Sequence, residues 1–457
     1  MTTFKRNATV RGLGFGALAM GSAVVVAGLG GCNWKAFDDD AANAPVLSIG
    51  APDSFKAGDF GQSVVPLLDA QGAAGAFLAS SVHDTNVSVF KIEATGGVSS
   101  TPLPATGLTD VDNSVISNMA EIPGSSPTRL LLGTPIVHNQ SYGRAYTYVL
   151  PDGPATVFPI FAGGMESGAG RGLVVGAFGG TEATMDYAIA SDNQLVVAVD
   201  GQPTPTTPSG AGCETTFDPS QDARYSVRRP LLAARLWGNT VQQLVAGGTH
   251  AAVPGTVSFF TVQAGSTLDC VTVATADNKP KFGASLATGD FNGDGALDLL
   301  VGAPPKDAYV YLGPFPTGGL PVPIKVTDGE GLDFGYRVTA LNVDGEPGDE
   351  VLVADPRATV GGHAEAGRVQ AYHFDKTTMT LSIYNSFSDL SPQDSARFGS
   401  SLNGVSVCVS PPCTDAKPAA KLMLVGATNE MFLYYRVGEN LPTGTFDGKM
   451  VRDLRAR

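Results

Sequence analysis

Apolar residues along this chain come in short runs, each closed by Gly, Pro, Asn or Asp, and few segments place them at helical spacing. Short bounded apolar runs predict strands. The runs fall in pairs. Gly75 to Ser80 is followed by Asn86 to Phe90, Arg129 to Pro135 by Gly143 to Val149, and Asp186 to Ser191 by Gln194 to Val199. Gln243 to Gly248 precedes Gly255 to Phe260, and Leu297 to Ala303 precedes Ala308 to Leu312. Val351 to Pro356 precedes Gly367 to Tyr372, and Leu422 to Ala427 precedes Met431 to Tyr435.

Successive pairs recur about every 55 residues, apart from a longer final step, a period typical of solenoids and propellers. Each unit has room for about four short strands, which makes a propeller blade and not a strand–helix repeat. The expected fold is all-β: a seven-bladed β-propeller of four-stranded antiparallel blades, spanning residues 45–440. Units three and four rest on one strand pair each, and a second run, Leu173 to Ala177, blurs the third. Six or eight blades therefore also fit. Closing the ring would remove exposed sheet edges.

One stretch, Phe282 to Pro304, carries chemistry as well as a strand. Asp290, Asn292, Asp294 and Asp298 stand at positions one, three, five and nine of an oxygen-rich loop, with Gly295 at six. The alternation aims side-chain oxygens at one point, the glycine permits the tight turn, and Ala296 would add a backbone carbonyl. Calcium takes about six to eight such ligands. An EF-hand would need Glu at position twelve, where Val301 stands, and flanking helices, where the sequence is β-type. The following unit repeats the spacing less well with Asn342, Asp344, Glu346, Gly348 and Glu350; Asn replaces the first Asp and Pro347 stands where Gly is usual. Around Asp69 and Gln71 carboxylates are too few, and that loop is expected to be metal-free.

The opening Phe282-Gly283, the D-x-N-x-D-G-x-x-D loop and the Leu300-Val301-Gly302-Ala303-Pro304 strand together resemble the FG-GAP repeat of the integrin α-subunit β-propeller. Phe60-Gly61, Phe334-Gly335 and Phe398-Gly399 open other units. The resemblance implies structural Ca2+ in blade loops and a surface that binds another protein or a glycan. It also implies that Phe282, Phe334 and Phe398 are core residues wedged between blades.

The amino terminus reads as an export signal. Lys5, Arg6 and Arg11 precede an apolar, glycine-rich stretch too short to span a bilayer. Leu29-Gly30-Gly31-Cys32 resembles a bacterial lipobox, which implies a signal peptide over 1–31, a lipid on Cys32 and a solvated tether over 32–44; ordinary signal cleavage nearby is the alternative. No twin arginine is present, so general secretory export is expected, and Asn33 in place of Asp favours the outer membrane. Residues 441–457 form a tail. Of the five cysteines, Cys213, Cys270, Cys408 and Cys413 remain for disulfides, with three connectivities open. Proximity favours Cys408 with Cys413 and Cys213 with Cys270; free thiols are the other reading.

A net charge of -14 argues against a nucleic-acid partner, because phosphate binding needs a basic face. His83, His138, His250, His363 and His373 are scattered and none lies in H-E-x-x-H; no G-x-S-x-G elbow or Walker A loop occurs. The sequence therefore favours a non-enzymatic binding or scaffold module of the cell envelope, adhesive in type. The alternative is an exported propeller enzyme acting on polysaccharide or phospholipid, its site assembled from several loops.

Overall fold

The computed structural model describes strand-bearing segments between residues 47 and 274, residue 279, and residues 281–316, 320–328, 330–343, 347–407 and 420–435. Among the described residues there is no helix; every element is a strand, and every strand-to-strand pairing in the sheets is antiparallel.

The strands form seven sheets in chain order. The first holds β2 (Asp59–Leu68), β3 (Ala74–His83) and β4 (Asn86–Glu93). The second holds β5 (Asn118–Ile122), β6 (Arg129–Thr134), β7 (Tyr142–Val149) and β8 (Ala155–Val157), with β9 (Glu166–Ser167) also on β7. The third runs through β10 (Gly172–Gly176), β11 (Asp186–Ala190), β12 (Leu195–Val199) and β13 (Gln202–Thr204). The fourth runs through β14 (Leu231–Ala234), β15 (Gln243–Gly248), β16 (Thr256–Gln263) and β17 (Thr267–Ala274). The fifth comprises β18 (Ser285–Gly289), β19 (Asp298–Ala303), β20 (Asp307–Tyr311) and β21 (Ile324–Thr327). The sixth comprises β22 (Arg337–Leu341), β23 (Glu350–Asp355), β24 (Arg368–Asp375) and β25 (Thr380–Phe387). The seventh orders β26 (Ser401–Val407), β27 (Ala420–Gly426) and β28 (Glu430–Tyr435), then takes β1 (Leu47–Gly50) as its fourth strand.

The paired runs read from the sequence are the second and third strands of each sheet. The Leu173 run is β10, the first strand of the third sheet. The β1 pairing, Leu47 opposite Leu433 and Gly50 opposite Glu430, had no signal in the sequence. The first strands touch in order: β2 with β5, β5 with β10, β10 with β14, β14 with β18, β18 with β22, β22 with β26, and β26 back to β2.

The core lies between consecutive sheets. Phe282, Phe334 and Phe398 are each 0% exposed. Phe282 packs with Val245, Val257 and Phe259 of the fourth sheet and Leu299, Val301 and Tyr309 of the fifth. Phe334 sits between Leu300 and Val310 on one side and Val351 and Tyr372 on the other. Phe398 does the same between Leu352 and Val369, and Val425 and Phe432. Its ring lies 5.2 Å from that of Phe432, and the Phe282 ring meets that of Tyr309 edge-on at 5.6 Å.

The glycine beside each phenylalanine explains the pairing of the two residues. Gly283, Gly335 and Gly399 have φ of 86°, 93° and 94°, where a side chain is strained. Each donates its N–H to the second strand of its own sheet: Gly283 to Gly302, Gly335 to Ala354 and Gly399 to Gly426. Each also presses on the second strand of the preceding sheet. A Cβ on Gly247 would meet the Gly283 carbonyl oxygen at 2.0 Å, and one on Gly302 would meet that of Gly335 at 2.2 Å. Glycine thus meets glycine at the first two of these boundaries and Gly399 meets Ala354 at the third, close approaches that bring the flanking aromatic ring into contact with both sheets.

Candidate metal loop

The fifth-sheet loop, between β18 and β19, is held by its own side chains. Asp290 accepts N–H bonds from Asp294 (2.9 Å) and Gly295 (2.8 Å), Asn292 accepts from Asp294 (2.9 Å), and Asp294 accepts from Ala296 (2.8 Å). Gly293 and Gly295 supply the positive φ values, 63° and 85°, that such a turn requires. Asp290, Asn292 and Asp294 are brought together on one solvent-facing turn, with the Asn292 amide 2.9 Å from Asp294.

Asp298 is placed differently. It is 0% exposed at the start of β19, and its two oxygens accept the N–H groups of Phe291 (2.8 Å) and Gly313 (2.7 Å). Burial lifts its carboxyl to about 6; the amides of Gly313 and Phe291 pull the other way, and the Asp294 charge adds to the rise.

The same position recurs in other sheets. Asp186, Gln243, Asp298 and Glu350 each open the second strand and pair in register with the last residue of the first: Gly176, Ala234, Gly289 and Leu341. Asp186 accepts the Phe178 N–H at 2.9 Å, Gln243 that of Leu236 at 2.8 Å, and Glu350 that of Val343 at 2.7 Å. Gln243 does this without a charge. The shared duty of the position is therefore to brace the turn before it. A carboxylate oxygen has lone pairs to spare beyond one amide bond, so bracing does not exhaust Asp298. Sequence reading missed this duty in Asp186 and Gln243; the signal was the residue's fixed place just before each second-strand apolar run.

Donor chemistry fits a hard divalent cation: the loop offers only carboxylate, amide and carbonyl oxygens. Among the described residues no three His, Cys, Asp or Glu side chains are gathered as a metal cluster. Asn292 and the Ala296 carbonyl would have to complete the shell with Asp290 and Asp294. Bound there, calcium would neutralise the clustered carboxylates and stiffen the turn.

In the sixth sheet, Asp344 and Glu346 lie outside the described residues. Asn342 donates its amide to the Gly348 carbonyl at 2.6 Å, and the buried Glu350 faces His373 Nδ1 at 3.4 Å. Cys32, Cys213, Cys408 and Cys413 also lie outside them, as do residues 1–46 and 436–457. Cys270 falls on β17 opposite Phe260.

The two loops meet. The Asp290 N–H donates to the Asp349 carboxylate at 3.0 Å, and the Asp349 N–H donates to the Asp290 carbonyl at 2.7 Å. Sequence reading passed over Asp349, whose spacing matches no ligand position.

Two kinds of similarity to known proteins bear on the chain. Phosphatidylinositol-glycan-specific phospholipase D of Homo sapiens is 30% identical over 143 residues, and that of Rattus norvegicus is 31% identical over 144. Each match takes in 28% of this chain and 17% of the relative, so the chain spans about a sixth of the length of the curated relatives it matches. Residues 282–314, from the Phe282-Gly283 turn through the loop, β19 and β20, match the FG-GAP repeat family.

Proposed function

We propose that this chain is a calcium-stabilised, seven-bladed FG-GAP β-propeller that serves as a binding or scaffold module of the bacterial cell envelope, tethered by a lipid on Cys32 and probing for a protein or glycan ligand. The carrying observation is the ring of first strands, β2 through β26 and back to β2, with β1 completing the last sheet. Supporting it is the FG-GAP match over a loop whose side chains present a set of hard oxygens. The calcium is structural in this reading: it holds a loop between two strands, and no proton transfer is routed through it.

The test uses the domain from Pro45 onward. Titration with calcium should show saturable binding that Asp290→Asn removes, and capture of envelope proteins or glycans on the immobilised domain should depend on folding of the ring. Absence of saturable calcium binding would refute the metal reading.

A second reading has one observation in its favour, the similarity to phospholipase D. The chain would then act on, or recognise, a phospholipid or a lipid-linked glycan. Release of a phosphorylated headgroup from phosphatidylinositol-glycan by the purified domain would establish it.

A further inference from the structure

We infer that Asp349, on the sixth sheet, is a positioning residue for the cation loop of the fifth. The inference rests on the calcium reading of that loop and adds a residue that lies in the neighbouring sheet. Its basis is a clasp made of backbone and one carboxylate. Asp349 accepts the N–H of Asp290 at 3.0 Å and returns its own N–H to the Asp290 carbonyl at 2.7 Å. The first ligand position of the loop is thus gripped at both its N–H and its carbonyl by a single residue across the sheet boundary.

The rest of the segment is shaped to deliver that grip. Gly348 has a φ of 122°, and its carbonyl is held by the Asn342 amide at 2.6 Å. A Cβ on Gly348 would stand 3.1 Å from the Phe291 carbonyl oxygen, and one on Gly293 would stand 2.8 Å from that of Pro347. Residues 347–349 therefore lie directly against 290–293 with no side chain between the two backbones. Gly289 is under the same constraint, since a Cβ there would meet Ala340 at 2.5 Å and Asp349 Oδ2 at 3.0 Å.

Groups that orient metal ligands through a hydrogen bond commonly set affinity by tenfold or more when removed. Asp349 acts on Asp290 in this way: it fixes the peptide from which the first carboxylate projects. The coupling runs both ways, because binding and orientation share one free energy. A cation that fixes Asp290 also secures the contact between the fifth and sixth sheets.

Calcium affinity of the domain, measured by calorimetry and by terbium luminescence, tests this in wild type, Asp349→Ala, Asp349→Asn and Gly348→Ala. Asp290→Asn marks which binding belongs to the fifth-sheet loop. Asp349→Ala should weaken that binding about tenfold. Asp349→Asn should keep it within about threefold, because its carbonyl oxygen still accepts the Asp290 N–H. Gly348→Ala, which pushes the clasp off Phe291, should weaken binding without touching Asp349. Melting in chelator shows that each variant folds. Wild-type affinity in Asp349→Ala, or an equal loss in Asp349→Asn, would overturn the inference while leaving the calcium reading intact. A wild type that binds no calcium would overturn both.

Discussion

Replacing Gly302 with Ala tests the sheet-to-sheet contact that the repeat is built around. The new Cβ would stand 2.2 Å from the Gly335 carbonyl oxygen and 2.2 Å from Ser285 Oγ. An ordinary carbon–oxygen contact is about 3.3 Å, so the sheets must part by about 1 Å. Gly335 cannot yield freely, because its N–H is committed to Ala354 at 3.2 Å and its φ is already 93°. Ser285 can turn away only by giving up its 2.9 Å bond to the Gly335 carbonyl, a loss of about 1 kcal/mol. Overpacking of a close-packed contact adds about 2–3 kcal/mol, giving a total of about 3–4 kcal/mol. Gly362→Ala is the control: its φ is 89°, but nothing lies within 4 Å of a Cβ there, so it should lose only about 1–2 kcal/mol of backbone strain. Urea unfolding followed by circular dichroism, run in chelator to remove any cation effect, compares the two. If Gly302→Ala costs no more than Gly362→Ala, the backbone contact is not what sets the spacing of the sheets.

Further measurements address the other parts of the structure. Phe334→Ala, at a site 0% exposed between the fifth and sixth sheets, should cost about 3–5 kcal/mol in the same assay, and Phe334→Leu about half of that. Gln243→Ala should cost about 1–3 kcal/mol although it carries no charge, since Leu236 N–H loses its buried acceptor at 2.8 Å. Burial raises the carboxyl of Asp355 above its ordinary value, against the pull of amide bonds from Leu332, Asp333 and Arg357. The folded state then binds the proton more tightly than the unfolded chain, so this residue's share of stability falls as pH rises through that window, and Asp355→Asn should lack that component in urea midpoints taken from about pH 4 to about pH 7. Removing Leu47–Gly50 should lower the stability of the whole ring and broaden its transition, because β28 loses one of its two partners and keeps only β27; an unchanged midpoint would rule out a role for β1 in closure.

The fifth sheet was legible because its chemistry and its packing use the same residues: the oxygens of the loop, the wedge Phe282 and the contact glycine Gly302 all have distinctive side chains or none. The third and fourth sheets were harder for a physical reason. Neither first strand is preceded by Phe-Gly: Ala169-Gly170-Arg171 leads into the third sheet and Arg228-Arg229-Pro230 into the fourth. In the third, what survives is the backbone contact: a Cβ on Gly133 would meet the Gly170 carbonyl at 2.3 Å, and Gly170 keeps a φ of 89°. Backbone geometry of that kind leaves a lone glycine as its only trace. The wedge position there is filled by Ala169, 0% exposed, and Phe158 and Tyr187 supply the aromatic bulk from elsewhere, their rings 5.7 Å apart. Asp349 escaped notice because its task is defined by a neighbour in another sheet, and β1 because its partner lies at the far end of the chain.

Strand β28 runs from Glu430 to Tyr435 and β1 lies antiparallel on it with Leu47 opposite Leu433. Strand β1 therefore begins and β28 ends at the same rim of one sheet, the rim from which the turn before β19 also projects. Under the proposed lipid on Cys32 the assembly would stand on that rim, with the Asp290–Ala296 turn toward the bilayer. The opposite rim, carrying Pro304 to Lys306 and the crossings ahead of β22 and β26, would be turned outward to whatever the cell meets.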